Sequence, residues 1–278
     1  MAQKVWMVTG ATRGLGAEVT KAALASGDKV IATGRETHGL ENPNHQDTWL
    51  GIPMDVTSEE QVESGVRQAL NRFGRIDVLI NNAGFGMLGA IEETAAEEVE
   101  RIYRTNVFGL LNVVRAVLPA MRQQRSGHII NFSSLGGYRA SAGWGIYCST
   151  KFAVEGITEA LHDELAPLGI HVTVVEPGFF RTDFMDNRSL THTRKQIGDY
   201  ESTVGKTRIF AIERNHQQPG DPAKFAQALV KLVNAAEPPL RLPLGTDALE
   251  RVAQKNAFVS EETTRWRPLS VSTDFKEN

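Results

Sequence analysis

Val5-Trp6-Met7-Val8-Thr9-Gly10-Ala11-Thr12-Arg13-Gly14-Leu15-Gly16 is the stretch on which the reading of this chain turns. Five apolar and β-branched residues give a strand signal, and a helical pattern opens at Leu15 directly after the glycines. Gly10, Gly14 and Gly16 let the backbone pass close to a bound group. The free N–H groups and positive dipole end of the helix suit a pyrophosphate. A tight strand-to-helix turn without a ligand uses glycine in the same way, so the pattern needs its context.

Outward from this turn, short β-branched runs at 5–9, 29–33, 48–54, 76–80, 128–132, 171–175 and 240–244 alternate with helical stretches at 15–26, 59–73, 97–121, 144–166 and 222–235. Crossovers of that length return the chain parallel, and right-handed connection leaves one α/β architecture: a doubly wound Rossmann fold. The reading predicts a seven-stranded parallel sheet with helices on both faces, formed by residues 1–278 as a single domain. The polar, weakly periodic segment 182–220 follows the sixth strand and is expected to form a substrate lid. Residues 259–278 are expected to be a loose tail.

Composition narrows the function classes. The 278 residues are 41% hydrophobic, enough for a full core. Thirty Lys+Arg against thirty-three Asp+Glu gives a net charge of -3, which argues against a nucleic-acid binder. No apolar run approaches the ~20 residues of a membrane span, and the first residues lack a signal-peptide pattern, so a cytoplasmic location is expected. Cys148 is the only cysteine and cannot close an intrachain disulfide, and the seven histidines show no ligand spacing, so no metal site is expected.

The end of the second strand, Ala32-Thr33-Gly34-Arg35, bears on the choice of dinucleotide. A carboxylate there would hold a ribose 2'-hydroxyl, whereas arginine suits a 2'-phosphate. Arg35, with Arg13 from the glycine turn, favours NADP(H) through paired guanidinium donors. The alternative is NAD(H), with Glu36 on the ribose.

Tyr147 and Lys151 fall four residues apart in a helical stretch and share one face, and Ser134 ends the fifth strand. A carbonyl reduction needs a hydride donor, a proton donor and a group that polarises the oxygen. Tyr147 can give the proton, and an ammonium beside it favours the phenolate that burial opposes. Taken with the glycine turn, Asn81-Asn82-Ala83-Gly84, Asn106 and Pro177-Gly178, the ordered set resembles the short-chain dehydrogenase/reductase family from about Val5 to Thr182.

The resemblance implies that Lys151 also binds the nicotinamide ribose, Ser134 orients the substrate oxygen and Asn106 supports a proton-relay water. It implies a cofactor site of Gly10, Thr12, Arg13, Gly14, Leu15, Gly16, Arg35, Asp55, Val56, Asn82, Ala83, Gly84, Tyr147, Lys151, Pro177, Gly178 and Thr182. Simpler roles exist: Asp55 could cap the helix near Ser58, Asn106 could satisfy helix backbone, and Ser133 could replace Ser134. Cys148 points about 100° away from Tyr147 on a helix and is read as packing.

Segments expected beside the nicotinamide, 85–88, 135–144, 179–180 and the lid around Phe184-Met185 and Ile209-Phe210, are aromatic and apolar. They favour a small hydrophobic ketone or aldehyde, or the corresponding alcohol, as substrate. The span beyond Gly178 resembles the hydroxysteroid- and retinol-dehydrogenase-like carbonyl reductase branch. A dinucleotide-binding sensor that kept the fold is the reading from another class. The resemblance also implies a homodimer or homotetramer, with 97–121 and 144–166 as contacts.

Overall fold

The computed structural model describes residues 3–36, 42 and 47–275. His38 and His45 lie outside them. In chain order the elements are β1 (Val5–Thr9), α1 (Gly14–Ala25), β2 (Lys29–Gly34), β3 (Trp49–Pro53), α2 (Glu59–Phe73), β4 (Val78–Asn81), β5 (Gly86–Leu88), α3 (Ala96–Tyr103), α4 (Leu110–Gln124), β6 (Gly127–Phe132), α5 (Leu135–Tyr138), α6 (Gly145–Leu165), β7 (Ile170–Pro177), β8 (Leu190–His192), α7 (Lys206–Arg214), α8 (Pro222–Val233), β9 (Arg241–Leu244) and α9 (Thr246–Val271).

Seven strands form one parallel sheet in the order β3-β2-β1-β4-β6-β7-β9. Every residue of β1 is buried because helices cover both faces. Its side chains alternate as the pleat requires. Val5 and Met7 join the core beneath α2, α4 and α6, with Val66, Val113 and Val154. Trp6 and Val8 join the core beneath α1 and α8, with Val19, Phe225 and Leu229. The order reverses beside β1, where β2 lies on one side and β4 on the other, and ligands of open α/β sheets bind at such a crevice.

Three expectations change in detail. The helix read over 97–121 is two α-helices joined by a π-helical turn at Arg104–Gly109. The segment 182–220 is more ordered than a plain loop: β8 pairs with β5 in a small second sheet, and α7 follows. The stretch read as a loose tail continues α9 as helix to Val271, although its side chains beyond Asn256 are exposed. Its polar composition concealed the helix, because no core-facing stripe marks it.

Candidate active site

The glycine turn packs against the loop after β4. Thr9 Oγ1 accepts from the N–H groups of Asn82 and Ala83, both at 3.0 Å, and Asn82 Nδ2 donates to the carbonyls of Thr9 and Gly10 at 2.9 and 3.0 Å. A Cβ at Gly16 would lie 2.3 Å from the Gly10 oxygen and 2.5 Å from Asn82 Nδ2. Gly16 therefore serves packing beneath the turn. Gly14 has φ +55°, and a Cβ there would meet only Thr182, at 3.9 Å, so the space above it is open. No side chain caps the start of α1, which leaves its first N–H groups available to an anion.

From this turn a single cleft of about 1250 Å³ runs past β2 and β4 to α6. Pockets for drug-sized ligands span ~300–1,000 Å³, so there is room for a dinucleotide and a further molecule. Thr12, Arg13 and Leu15 line it beside Gly10 and Gly14, and Arg35 stands at the end of β2. Asp55, Val56, Ala83 and Gly84 line it farther along. Pro177, Gly178 and Thr182 close its other wall. The open, glycine-floored turn and the uncapped helix fit a pyrophosphate, and the length of the cleft fits the two nucleosides on either side.

Several side chains have duties that the sequence did not disclose. Arg13 Nη2 donates to the Arg188 carbonyl at 2.9 Å, tying the turn to the segment 182–220. Asp55 Oδ1 accepts from Thr57 N and Oγ1 at 2.9 and 2.8 Å, while Ser58 itself caps α2. Asn106 sits in the π-helical turn and is 2% exposed. Its Oδ1 accepts from Phe85 N at 3.1 Å and its Nδ2 donates to Phe85 O and Thr150 Oγ1 at 3.0 and 3.1 Å. That side chain braces the loop after β4 against α6 and does not line the cleft.

Ser134, Tyr147 and Lys151 do come together on the cleft wall. Ser134 caps α5, accepting from Gly136 N at 3.1 Å, and its hydroxyl also bonds to Tyr147. Burial drives the Tyr147 phenol well above its ordinary value, only partly opposed by Ser134. Burial thus favours the protonated phenol, the form a proton donor needs. Lys151 Nζ lies 5.9 Å from the Tyr147 ring centroid and donates to the Phe132 carbonyl at 2.7 Å. Burial lowers Lys151 to about 8.

The apolar lining is close to the one the sequence suggested. Phe85, Leu135, Trp144, Phe179, Phe180, Phe184, Met185 and Phe210 reach the cleft, whereas Met87 and Leu88 are buried within β5. Arg251 of α9 is one residue that the motifs missed: it lines the cleft and reaches Ser141 Oγ at 3.3 Å. Asp247 is another, its carboxylate accepting from Phe179 N at 2.7 Å and so joining α9 to the end of β7. Neither lies in a motif, and only the fold brings them to the site. Cys148 is buried, and burial raises its thiol.

The chain belongs to the short chain dehydrogenase family, whose pattern matches residues 4–193. It is 37% identical over 273 residues to oxidoreductase BOA17 of Botryotinia fuckeliana, covering 97% of this chain and 99% of that one. It is 38% identical over 245 residues to 3-ketodihydrosphingosine reductase of Bacteroides thetaiotaomicron, covering 88% and 89%. A short-chain dehydrogenase from Streptomyces avermitilis superposes with TM-score 0.92 at 40% identity over 99% of this chain and 100% of that one. A 3-ketoacyl-(acyl-carrier-protein) reductase from Brucella melitensis complexed with NADH superposes with TM-score 0.73 at 27% identity over 87% and 96%. ElxO with NADP bound does so with TM-score 0.73 at 26% identity over 90% and 100%. The chain is therefore an oxidoreductase of this family, and nicotinamide dinucleotides occupy its structural neighbours. No helix among the described residues is long and apolar enough to cross a membrane.

Proposed function

We propose that this protein is an NADPH-dependent carbonyl reductase, working reversibly as an alcohol dehydrogenase on small, predominantly hydrophobic ketones or aldehydes. The observation that carries the reading is the convergence of Ser134, Tyr147 and Lys151 on the wall of a cleft that starts at the glycine turn. A nicotinamide dinucleotide held by the glycine turn would supply the hydride. Ser134 holds the substrate oxygen, Tyr147 delivers the proton to it, and Lys151 offers a positive charge as the phenol gives that proton up. Asn106 acts from behind by fixing α6 through Thr150 and the loop of Phe85.

Arg35 and Arg13 favour the 2'-phosphate of NADPH, with no carboxylate at Gly34 to compete. Trp144, Phe179, Phe184 and Phe210 supply the apolar wall, and similarity to a protein named 3-ketodihydrosphingosine reductase supports a carbonyl substrate. A homodimer or homotetramer in the cytoplasm completes the proposal, with exposed Phe108 and Phe152 available on the expected contact segments. The test is NADPH oxidation measured against a panel of aromatic and aliphatic ketones, with NADH in parallel. Turnover with NADPH is expected; tight NADPH binding with no turnover on any carbonyl would turn the reading to a sensor.

A further inference from the structure

Glu155 follows Lys151 by one helical turn on α6, so the two project from the same face. It is buried, and it sits where several elements meet. A Cβ on Gly137 of α5 would fall 2.1 Å from Ser133 Oγ, 3.0 Å from Glu155 Oε1 and 3.1 Å from Lys151 Cβ. Only a glycine leaves room for these three side chains to converge. Ser133 Oγ and Glu155 Oε1 are both buried without an aligned hydrogen-bond partner, an arrangement that costs stability and asks for a purpose. Glu155 Oε2 is held by Arg241 of β9, which also donates to Glu176 Oε1 of β7 at 2.8 Å and to Glu159.

We infer that Glu155 is a positioning residue for Lys151: its carboxylate, anchored by Arg241, keeps the lysine an ammonium ion while Tyr147 reacts. The inference rests on the catalytic reading above. The charged and titratable groups around Glu155 are Lys151 and Glu159 on its own helix, Glu176 on β7 and Arg241 on β9. Tyr138 of α5 stacks on Arg241 at 5.5 Å, and Lys255 of α9 faces the same second cavity of about 590 Å³ that Glu155 lines. Ser133 is the hydroxyl nearest the carboxyl.

The proton affinities fit this geometry. Burial takes Lys151 down to about 8, and the charge of Glu155 opposes that fall. Burial takes Glu155 up to about 7; Ser133 opposes the rise, Glu176 adds to it, and Arg241 opposes it. In the folded protein the carboxylate thus acquires its charge just below the pH at which the ammonium is lost. A neutral residue in its place lets Lys151 deprotonate earlier.

The experiment titrates Lys151 directly, following its Cε resonance in [¹³C]lysine-labelled protein, and records the alkaline limb of kcat/KM for NADPH-dependent reduction beside it. Glu155→Gln, nearly equal in shape, should lower the Lys151 pKa by about one unit and draw the alkaline limb down with it. Ser133→Ala should move both in the same direction by less, and it decides the matter if Glu155→Gln does not fold. Glu159→Gln, which removes only the outer partner of Arg241, should leave both in place. An unmoved Lys151 resonance in folded Glu155→Gln or Ser133→Ala, even with a lowered Tm, would overturn the inference. So would a shift in Glu159→Gln as large as in Glu155→Gln. If the resonance shifts while no carbonyl is reduced by the unaltered enzyme, the catalytic reading fails and the electrostatic link stands.

Discussion

Along one wall of the cleft, from Gly10 to Gly84, the site is made of backbone: glycines, an uncapped helix end and loops tied by Thr9 and Asn82. Along the other, from Thr182 to Arg214, it is made of side chains on short pieces of structure held to the body by a few polar contacts. The first wall must match one unchanging ligand part, a pyrophosphate between two nucleosides, and close backbone approach leaves little freedom in residue type. The second has no such constraint, and its shape follows from tertiary contacts that leave no local pattern.

Tyr147 stands where the two walls meet, so it gives the sharpest test of their separation. Tyr147→Phe keeps the ring packed against Trp144 and Phe184, at 5.7 Å from each, and deletes only the hydroxyl. Turnover should fall roughly 10²–10⁴-fold. NADPH affinity, measured by fluorescence titration, should stay close to that of the unaltered protein. Loss of binding in step with turnover would show that the walls do not act separately.

The segment 182–220 is held by a buried ion pair. Glu93 accepts from the N–H groups of Ala90 and Ile197 at 2.7 and 2.8 Å and pairs with Arg208 of α7, so it fastens the second wall to the body. Arg208→Met strands this carboxylate, and breaking a buried pair costs about 3–5 kcal/mol. Hydrogen exchange should quicken across 190–214 while β1 and β4 keep their protection. Burial raises the Glu93 carboxyl, but Ile197, Ala90 and Arg208 together bring it below its ordinary value. Its contribution is therefore complete above the unfolded value of about 4.3 and is lost as pH falls through the lower folded value. Acid should loosen the second wall before the first, and simultaneous loosening would erase the distinction.

This contrast also explains what could be read from the sequence. The seven-strand sheet was legible because strands buried on both faces read as continuous apolar runs, and because the glycine turn marks β1 and α1. Tyr147 and Lys151 were legible because they lie four residues apart on α6, and Ser134 because it follows the fifth strand of the sheet at a short distance. The pairing of β5 with β8 was not, since three-residue strands have too short a period to recognise and their pairing spans about a hundred residues. Arg251, Asp247 and Glu155 were hidden for a related reason: each gains its role from an element distant in sequence, β7, the loop before α6, or β9. Arg13 was visible as a phosphate candidate, but its bond to Arg188 could not be read from the turn alone.

At the far end of the first wall, Arg35 follows Gly34, the last residue of β2, and is exposed. A charge-assisted contact to a 2'-phosphate is worth about 1.5–3 kcal/mol, so Arg35→Ala should weaken NADPH roughly tenfold to a hundredfold and leave NADH nearly unchanged. Adding Gly34→Asp should tip kcat/KM toward NADH by accepting from the ribose and repelling phosphate. Equal weakening of both cofactors would remove Arg35 as the reader of the phosphate and pass the ribose to Glu36.

The smallest effect is expected on the second wall, at Phe210. Its ring meets Phe179 edge-on with centroids 5.7 Å apart, and 39% of the residue remains exposed, so it belongs to the apolar lining and carries little of the core. An aromatic contact of this kind contributes about 0.5–1.5 kcal/mol. Phe210→Ala should therefore raise KM for aromatic ketones roughly two- to tenfold, with kcat and NADPH affinity little changed, because the lost contact binds the substrate body equally before and during reaction. A small aliphatic ketone that cannot reach the ring should show no change in KM. If kcat falls instead, or if NADPH binding weakens, then α7 helps to position the reacting groups and the second wall does more than select the substrate.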